Sequence, residues 1–317
     1  MLKRVAATAL VGLLALPAAA EEVSVAVTAI VEHPALDAAR DGIRDGLADL
    51  GFKVGENLKF SYESAQGNPA TAAQIARKFI GEAPNVIVPI STPSAQAVVA
   101  GTKDIPVVFT AVTDPVGAGL VADAARPGGN VTGVSDMSPI PDHLALIREI
   151  TPGVARLGII YNPGEANSVA LANRLKELAP GAGMQIVEAN ATKTAEVQQA
   201  ARSLVGKVDA IYIPTDNTVV SALEAAVQVA EQNRIPLYAG DTDSVPRGAI
   251  AAIGFNYYDI GLQTAQIVAR VLKGEAPGSI PVTQAQGTDL IVNPGAAEKM
   301  GVTIPEAVIS RANTVVK

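Results

Sequence analysis

Val86–Val121 reads VIVPISTPSAQAVVAGTKDIPVVFTAVTDPVGAGLV, and Ala210–Ile250 reads AIYIPTDNTVVSALEAAVQVAEQNRIPLYAGDTDSVPRGAI. Each stretch opens on a short β-branched run and passes through a hydroxyl-rich loop into an amphipathic segment. Each then reaches an Ile-Pro pair, a second apolar run and a loop carrying Thr-Asp. Apolar runs of four to six residues read as buried strands, and the longer stretches between them carry helical spacing. One strand–loop–helix–strand unit is therefore used twice, and two similar α/β lobes are the economical reading.

Working outward, the same alternation fills the chain. Val23–Ile30 reads as a strand. Pro34 suits a first helical turn, and Leu36, Ala39, Ile43, Leu47 and Leu50 recur at helical spacing until Gly51. Strands are expected at Leu58–Glu63, Asn85–Ile90 and Val107–Ala111, with helices over Thr71–Ile80 and near Ala95–Thr102. The second half repeats the order, with strands at Arg156–Tyr161, Gln185–Ala189, Ala210–Pro214 and Pro236–Ala239. Helices are expected between them at about 168–178, 194–204 and 218–232. Alternating β and α implies parallel sheets covered by helices. The proline-rich, polar stretch Ser135–Pro141 is the expected boundary between lobes. A helix over Tyr258–Leu272 and a late strand at Asp289–Val292 suggest that the chain crosses between lobes more than once.

The first twenty residues read as a secretory leader. Lys3 and Arg4 precede the uncharged run Val5–Leu16, and Pro17 and Ala18-Ala19-Ala20 follow with the small residues of a cleavage site. The run is shorter than the ~20 residues of a membrane-spanning helix. With no cysteine in the chain there is no lipid-anchoring residue and no disulfide, so the expectation is a soluble protein, secreted by a signal peptide and not lipid-anchored, in the periplasm. Without Lys3 and Arg4 the 24 basic residues fall to 22 against 31 acidic ones, a net charge of −9. That balance, with no basic cluster, argues against nucleic acid as a partner. A hydrophobic share of 49% and a charged share of 17% fit a globular chain.

The usual catalytic sets are missing: no cysteine nucleophile, no G-x-S-x-G, no P-loop, no G-x-G-x-x-G. His33 and His143 are the two histidines, too few for a histidine-based metal site. His143 is expected to sit exposed at a helix start. The expectation is a protein that is not an enzyme and needs no cofactor or metal. The chemistry lies in the loops after the strands, where open parallel sheets bind ligands. Those loops carry Glu32-His33, Ser91-Thr92, Thr110–Asp114, Asn162–Ser168, Thr215-Asp216-Asn217 and Asp241-Thr242-Asp243. Singly, such residues are ordinary N-caps. Together, hydroxyls and helix amino termini in one lobe suit a carboxylate, and Asp216, Asp241 and Asp243 in the other suit an ammonium group. That combination complements a zwitterion. Tyr161, Tyr212, Tyr238, Phe109 and Phe255 fall near strand ends in a chain with only 3% aromatics, which suggests a place near the cleft or in the core.

At these loops the sequence resembles the ABC-transporter substrate-binding proteins of the group that includes tryptophan- and phenylalanine-binding members. The matching stretches are EHPALDAARDG (32–42), STPSAQA (91–97), IPVVFTAVTDPVGAGLV (105–121), PGGNVTGVSD (127–136), YNPGEANS (161–168), LVGKVDAIYIPTDNTVVSA (204–222), DTDSV (241–245) and GFNYYDIG (254–261). The resemblance implies a type I periplasmic-binding-protein fold: two Rossmann-like lobes with parallel sheets and a ligand cleft between them. It implies crossings near 136, 254 and 285, so that 23–136 plus 255–285 form the N-terminal lobe and 137–254 plus 286–317 the C-terminal lobe. By the resemblance, Ser91, Thr92, Thr110 and the backbone of Ala111 hold a ligand carboxylate. Asp216 or Asp241 holds the ammonium, and Asn162, Asn167 and Asn217 close the cleft. Glu32, His33, Thr113, Tyr161 and Asp243 form a second tier of candidates. The implied function is a periplasmic solute-binding protein of an ABC importer that takes an amino acid, aromatic by the group's example, through hinge closure. Its implied partners are the permease and ATPase subunits of the inner membrane. The alternatives are a ligand sensor for a signalling receptor, or a binder of a sugar or nucleoside.

Overall fold

The computed structural model describes residues 22–317, so the expected leader lies outside the described residues. The first lobe opens with β1 (Val23–Ala29), α1 (Pro34–Asp49), β2 (Leu58–Ser64), α2 (Pro69–Glu82), β3 (Val86–Ile90), α3 (Thr92–Gly101), β4 (Val107–Val112) and β5 (Val131–Ser135). The chain then passes to α4 (Ile140–Ile150), β6 (Arg156–Tyr161), α5 (Ala166–Leu178), β7 (Gln185–Asn190), α6 (Val197–Leu204), β8 (Ala210–Ile213), α7 (Asn217–Val220), α8 (Leu223–Asn233), β9 (Leu237–Ala239) and β10 (Ala251–Gly254). The tail holds α9 (Tyr257–Leu272), β11 (Thr283–Gln284), β12 (Asp289–Val292), α10 (Pro294–Lys299), α11 (Glu306–Ile309) and β13 (Thr314–Val315).

Three sheets result: β11-β5-β4-β3-β1-β2, β7-β6-β8-β9, and a small one, β10-β12-β13. The first two are parallel throughout. The small sheet departs from the parallel expectation, since β10 and β12 pair antiparallel. Topology requires this. β10 leads out of one body of the fold and β12 leads back in, so neighbours at that edge run opposite ways.

Two separate apolar cores underlie the sheets. One gathers Val25 to Val134 together with Phe255 to Ala285, and the other Ile140 to Ala252 together with Leu290 to Val308. What ties α9 to the first core is its contact with α1. A Cβ on Gly42 would lie 2.1 Å from the Tyr258 carbonyl oxygen, and one on Gly261 2.3 Å from that of Ala39. The two helix backbones touch at glycines, which lets Ile43, Leu47, Ile260 and Val268 bury completely. Each such side chain contributes about 1.5–3 kcal/mol by leaving water.

His143 corrects the sequence reading. It is 2% exposed, one ring nitrogen lies 2.6 Å from the Tyr212 hydroxyl and the other 2.5 Å from the Ile253 carbonyl. Burial pushes its pKa down to about 4. The neutral ring is a buried tie between α4, β8 and β10. Among the described residues, no helix is long and apolar enough to cross a membrane.

Candidate functional site

The strands of both large sheets point their carboxyl ends at a common cleft. Its wall is made by His33, Ala35, Leu36, Ser91, Ala111, Thr113, Asp136, Asn167, Thr215, Asp216, Asn217, Val220, Asp241 and Tyr257. The space is narrow. It encloses about 350 Å³ between the facing side chains. A solute of amino-acid size enters such a slot only if the lobes or their side chains move apart.

On the first-lobe side the backbone is held in unusual conformations. Ser91, the N-cap of α3, has φ 72° and ψ 159°, a region occupied almost only by glycine. Ala111 has φ 52°, where the β4–β5 register shifts between Phe109 and Val112. A shift of this kind re-aims the backbone next to a site. The Ser91 N–H donates to the Thr110 carbonyl at 2.9 Å, which couples the two strained loops. The Ser91 hydroxyl is buried with no hydrogen-bond partner among the described residues, as are those of Thr92 and Ser94 behind it. Free N–H groups of the first turn of α3 add donors, so this side offers hydrogen bonds and positive potential without a basic residue.

Asp136 closes the cleft floor just after β5. It is 3% exposed. One carboxylate oxygen accepts from the Tyr257 hydroxyl at 2.8 Å and the other from the Thr113 hydroxyl at 3.3 Å. Burial raises its pKa, and the two hydroxyls oppose the rise. Tyr257 begins α9, directly after the chain's return from β10, so two separate passes of the chain meet at this carboxylate.

On the second-lobe side Asp216 caps α7. Its oxygens accept from the Val219 N–H at 2.7 Å and the Asn162 N–H at 2.6 Å. Burial raises its pKa, and the neighbouring Glu165 carboxylate adds to the rise. Glu165 is itself buried and clamps the same helix start, accepting from the backbone of Asn217 at 3.2 Å and of Thr218 at 3.1 Å. Asp241 accepts from the Ser244 N–H at 2.9 Å and the Ser244 hydroxyl at 2.7 Å, and burial raises its pKa as well. Asn167 donates to the Thr215 carbonyl at 3.0 Å, while its Oδ1 and the Thr215 hydroxyl are buried without partners among the described residues. Among the described residues no lysine or arginine is on the wall. Arg247 stands nearby and pairs with Glu224 through two bonds of 2.8 Å. Among the described residues no group of three or more His, Cys, Asp or Glu is placed to hold a metal.

The structure brings Ser91, Ala111, Asn167, Asp216, Asn217, Asp241, His33 and Thr113 to the wall and leaves six expected residues off it. Thr110 faces the opposite side of β4, where its hydroxyl accepts from Thr264 at 2.7 Å; alternate residues of a strand face opposite ways. Thr92 is buried behind Ser91 in α3. Asn162 shapes its own loop, bonding Thr218 at 2.9 Å and Gly164 at 2.9 Å. Tyr161 donates to Glu188 at 2.8 Å on the neighbouring strand. Glu32 is exposed and accepts from Gln66. Asp243 is half-buried outside the wall, its pKa pushed up to about 6 by burial and Asp241. Sequence reasoning missed Asp136 and Tyr257 as site residues. Their signal was position: each stands next to an expected crossing of the chain.

The family profile described as "ABC transporter substrate binding protein" matches residues 24–316. A tyrosine-binding protein of Clostridioides difficile is 42% identical over 270 residues, 85% of this chain and 78% of that protein. The crystal structure of an ABC domain in complex with L-Trp from Streptococcus pneumonia is 34% identical, covers 93% of this chain and all of its own, and superposes with a TM-score of 0.90. The ligand-free, open structure of a substrate-binding protein with adhesive properties from Clostridium difficile is 40% identical over 93% of this chain and 99% of that chain, yet its TM-score is 0.71. The chain therefore superposes better on the L-Trp complex than on the ligand-free, open structure.

Proposed function

This chain belongs to the family of ABC transporter substrate-binding proteins, solute binders rather than enzymes, and from that premise we propose that it captures an aromatic α-amino acid between its lobes in the periplasm and delivers it to an ABC permease and its ATPase. The observation that carries the ligand class is the buried Ser91 hydroxyl, without a partner among the described residues, on the same wall as the Asp136 carboxylate, which has no lysine or arginine beside it there. A free hydroxyl donor and an uncompensated carboxylate on one wall match the carboxylate and ammonium that an α-amino acid carries on one carbon. The Ser91 hydroxyl, the backbone at Ala111 and the start of α3 receive the carboxylate. Asp136 and Asp241 receive the ammonium, and the unpartnered Asn167 Oδ1 accepts from it across the closing cleft. Asp216 supports the site by holding α7 and the Asn162 loop.

The side-chain end of the cleft is lined by Ala35, Leu36, Val220 and the ring of Tyr257, an apolar surface suited to an aromatic side chain. The tyrosine-binding relative and the L-Trp complex support the same class. The crossings near 136, 254 and 285 serve as the hinge between N-terminal and C-terminal lobes, and binding shifts the population toward the closed form.

A thermal-shift screen of the protein lacking residues 1–20 against the twenty amino acids, sugars and nucleosides tests this. Ligand at a hundredfold excess over its dissociation constant stabilises the native state by roughly 2.7 kcal/mol. The expected result is the largest shift with aromatic amino acids. Shifts confined to sugars or nucleosides would overturn the ligand class and leave the family standing.

A further inference from the structure

His33 is out of keeping with its surroundings. It ends the β1–α1 loop as the N-cap of α1, and with Ala35 and Leu36 it makes one stretch of the cleft wall. It is 9% exposed, and its Nδ1 is buried with no hydrogen-bond partner among the described residues. The side chain takes no part in capping its helix; only its backbone carbonyl does so, accepting from the Asp37 N–H at 3.0 Å. Burial, with Arg247 adding to the effect, pushes the ring's pKa down to about 3, so at neutral pH it is an uncharged imidazole with one donor and one acceptor. A buried polar group without a partner destabilises the protein that carries it. A leucine would make an apolar wall without that penalty. The ring is therefore placed for something that arrives with the solute.

We propose that His33 determines specificity by hydrogen-bonding the polar atom on the ligand's aromatic ring, favouring a phenol or an indole N–H over an unsubstituted phenyl ring. The inference rests on the aromatic amino-acid reading above and goes beyond it by assigning the discrimination to one residue. The remaining wall at this end, Ala35, Leu36 and Val220, supplies apolar contact to all three rings alike. Discrimination by a buried polar group is asymmetric: an analogue lacking the matching atom leaves the group unpaired and binds more weakly.

Calorimetric titration of the parent, His33→Leu and His33→Gln with L-tyrosine, L-tryptophan and L-phenylalanine decides it. The parent is expected to bind tyrosine or tryptophan about tenfold or more tightly than phenylalanine. His33→Leu should bring the ratio of tyrosine or tryptophan affinity to phenylalanine affinity to about one, and His33→Gln should restore part of it. His33→Leu is also expected to melt higher than the parent without ligand, because the orphaned ring is gone. An equal loss for all three amino acids in His33→Leu, or a parent that binds phenylalanine as tightly as tyrosine and tryptophan, overturns the role of His33 and leaves the aromatic reading intact. A parent that binds none of the three overturns both.

Discussion

The loops after β3 and β4 and those after β8 and β9 occupy matching places in a repeated unit, yet they are built in opposite ways. In the first lobe Ser91 and Ala111 have positive φ, the Ser91 hydroxyl has no partner, and none of Ser91, Thr92 and Ala111 carries charge. In the second lobe Asp216 and Asp241 have ordinary extended backbone, with φ −107° and −120°. They are carboxyl groups whose oxygens already accept bonds from their own loops. One side is strained and unsatisfied; the other is relaxed and largely self-satisfied. A twofold-repeated scaffold thus gives two unlike half-sites. Strain and orphaned donors gather where a ligand's anionic group would complete the hydrogen bonding, while the carboxylates opposite stay folded without it.

The largest expected effect separates the carboxylates from one another. Asp136→Asn should weaken amino-acid binding by about 2–5 kcal/mol, the range for losing one partner of a buried charge pair. Asp241→Asn should lose roughly 1.5–3 kcal/mol. Asp216→Asn should lower the melting temperature more than it lowers affinity, because an amide NH2 replaces the oxygen that accepts from the Asn162 N–H and leaves that donor unpaired, at about 1–3 kcal/mol. Titration calorimetry and thermal melts on the three variants check this. If Asp216→Asn proved the weakest binder and Asp136→Asn bound like the parent, the division of roles would be wrong.

A smaller effect probes the strained side. Ser91→Gly removes a side chain from a conformation that suits glycine, and relief on the order of 1–3 kcal/mol should raise the melting temperature of the unliganded protein. The same change deletes a donor, so affinity should fall by about 1 kcal/mol. A lower melting temperature with unchanged affinity would mean that the hydroxyl serves packing alone.

The smallest effect is in pH. Burial raises the pKa of Asp136, Asp216 and Asp241, and takes Asp243 to about 6. The folded protein therefore holds protons that the unfolded chain releases near pH 4. The stability these groups contribute is fully present below that value and is lost as pH rises through the folded pKa values. A bound ammonium acts the other way, favouring the charged carboxylates. The ligand-induced rise in melting temperature should accordingly be larger at pH 7 than at pH 5. Equal rises at both would remove the carboxylates as charged partners.

Much of this comparison was legible before any coordinates. The late strand Asp289–Val292 and Arg156–Tyr161 fall where apolar runs placed them, and the hydroxyl loop at Ser91 and the acidic loops at Asp216 and Asp241 were identified as site candidates from their position after strands. Three things were hidden. β5 (VTGVS) is short and interrupted by glycine, so neither the strand nor Asp136 behind it stood out. Tyr257 follows a strand, β10, of four small and apolar residues, which reads equally as loop. His143 looked like a surface residue because nothing local announces that Tyr212 and Ile253, far along the chain, will close over it.

The sequence by itself determined the alternation of strand and helix, the doubling of one unit and the chemical character of each loop, because these follow from hydrophobic period and residue type over a few neighbours. Only the tertiary structure decided which hydroxyl enters the cleft. Thr113 does and Thr110 does not, since Thr110 is taken up by Thr264 of α9 while Thr113, in the loop beyond β4, reaches Asp136. It also decided that the His33 Nδ1 and the Ser91 hydroxyl are buried without partners among the described residues, because burial and satisfaction depend on what the second lobe brings against the first.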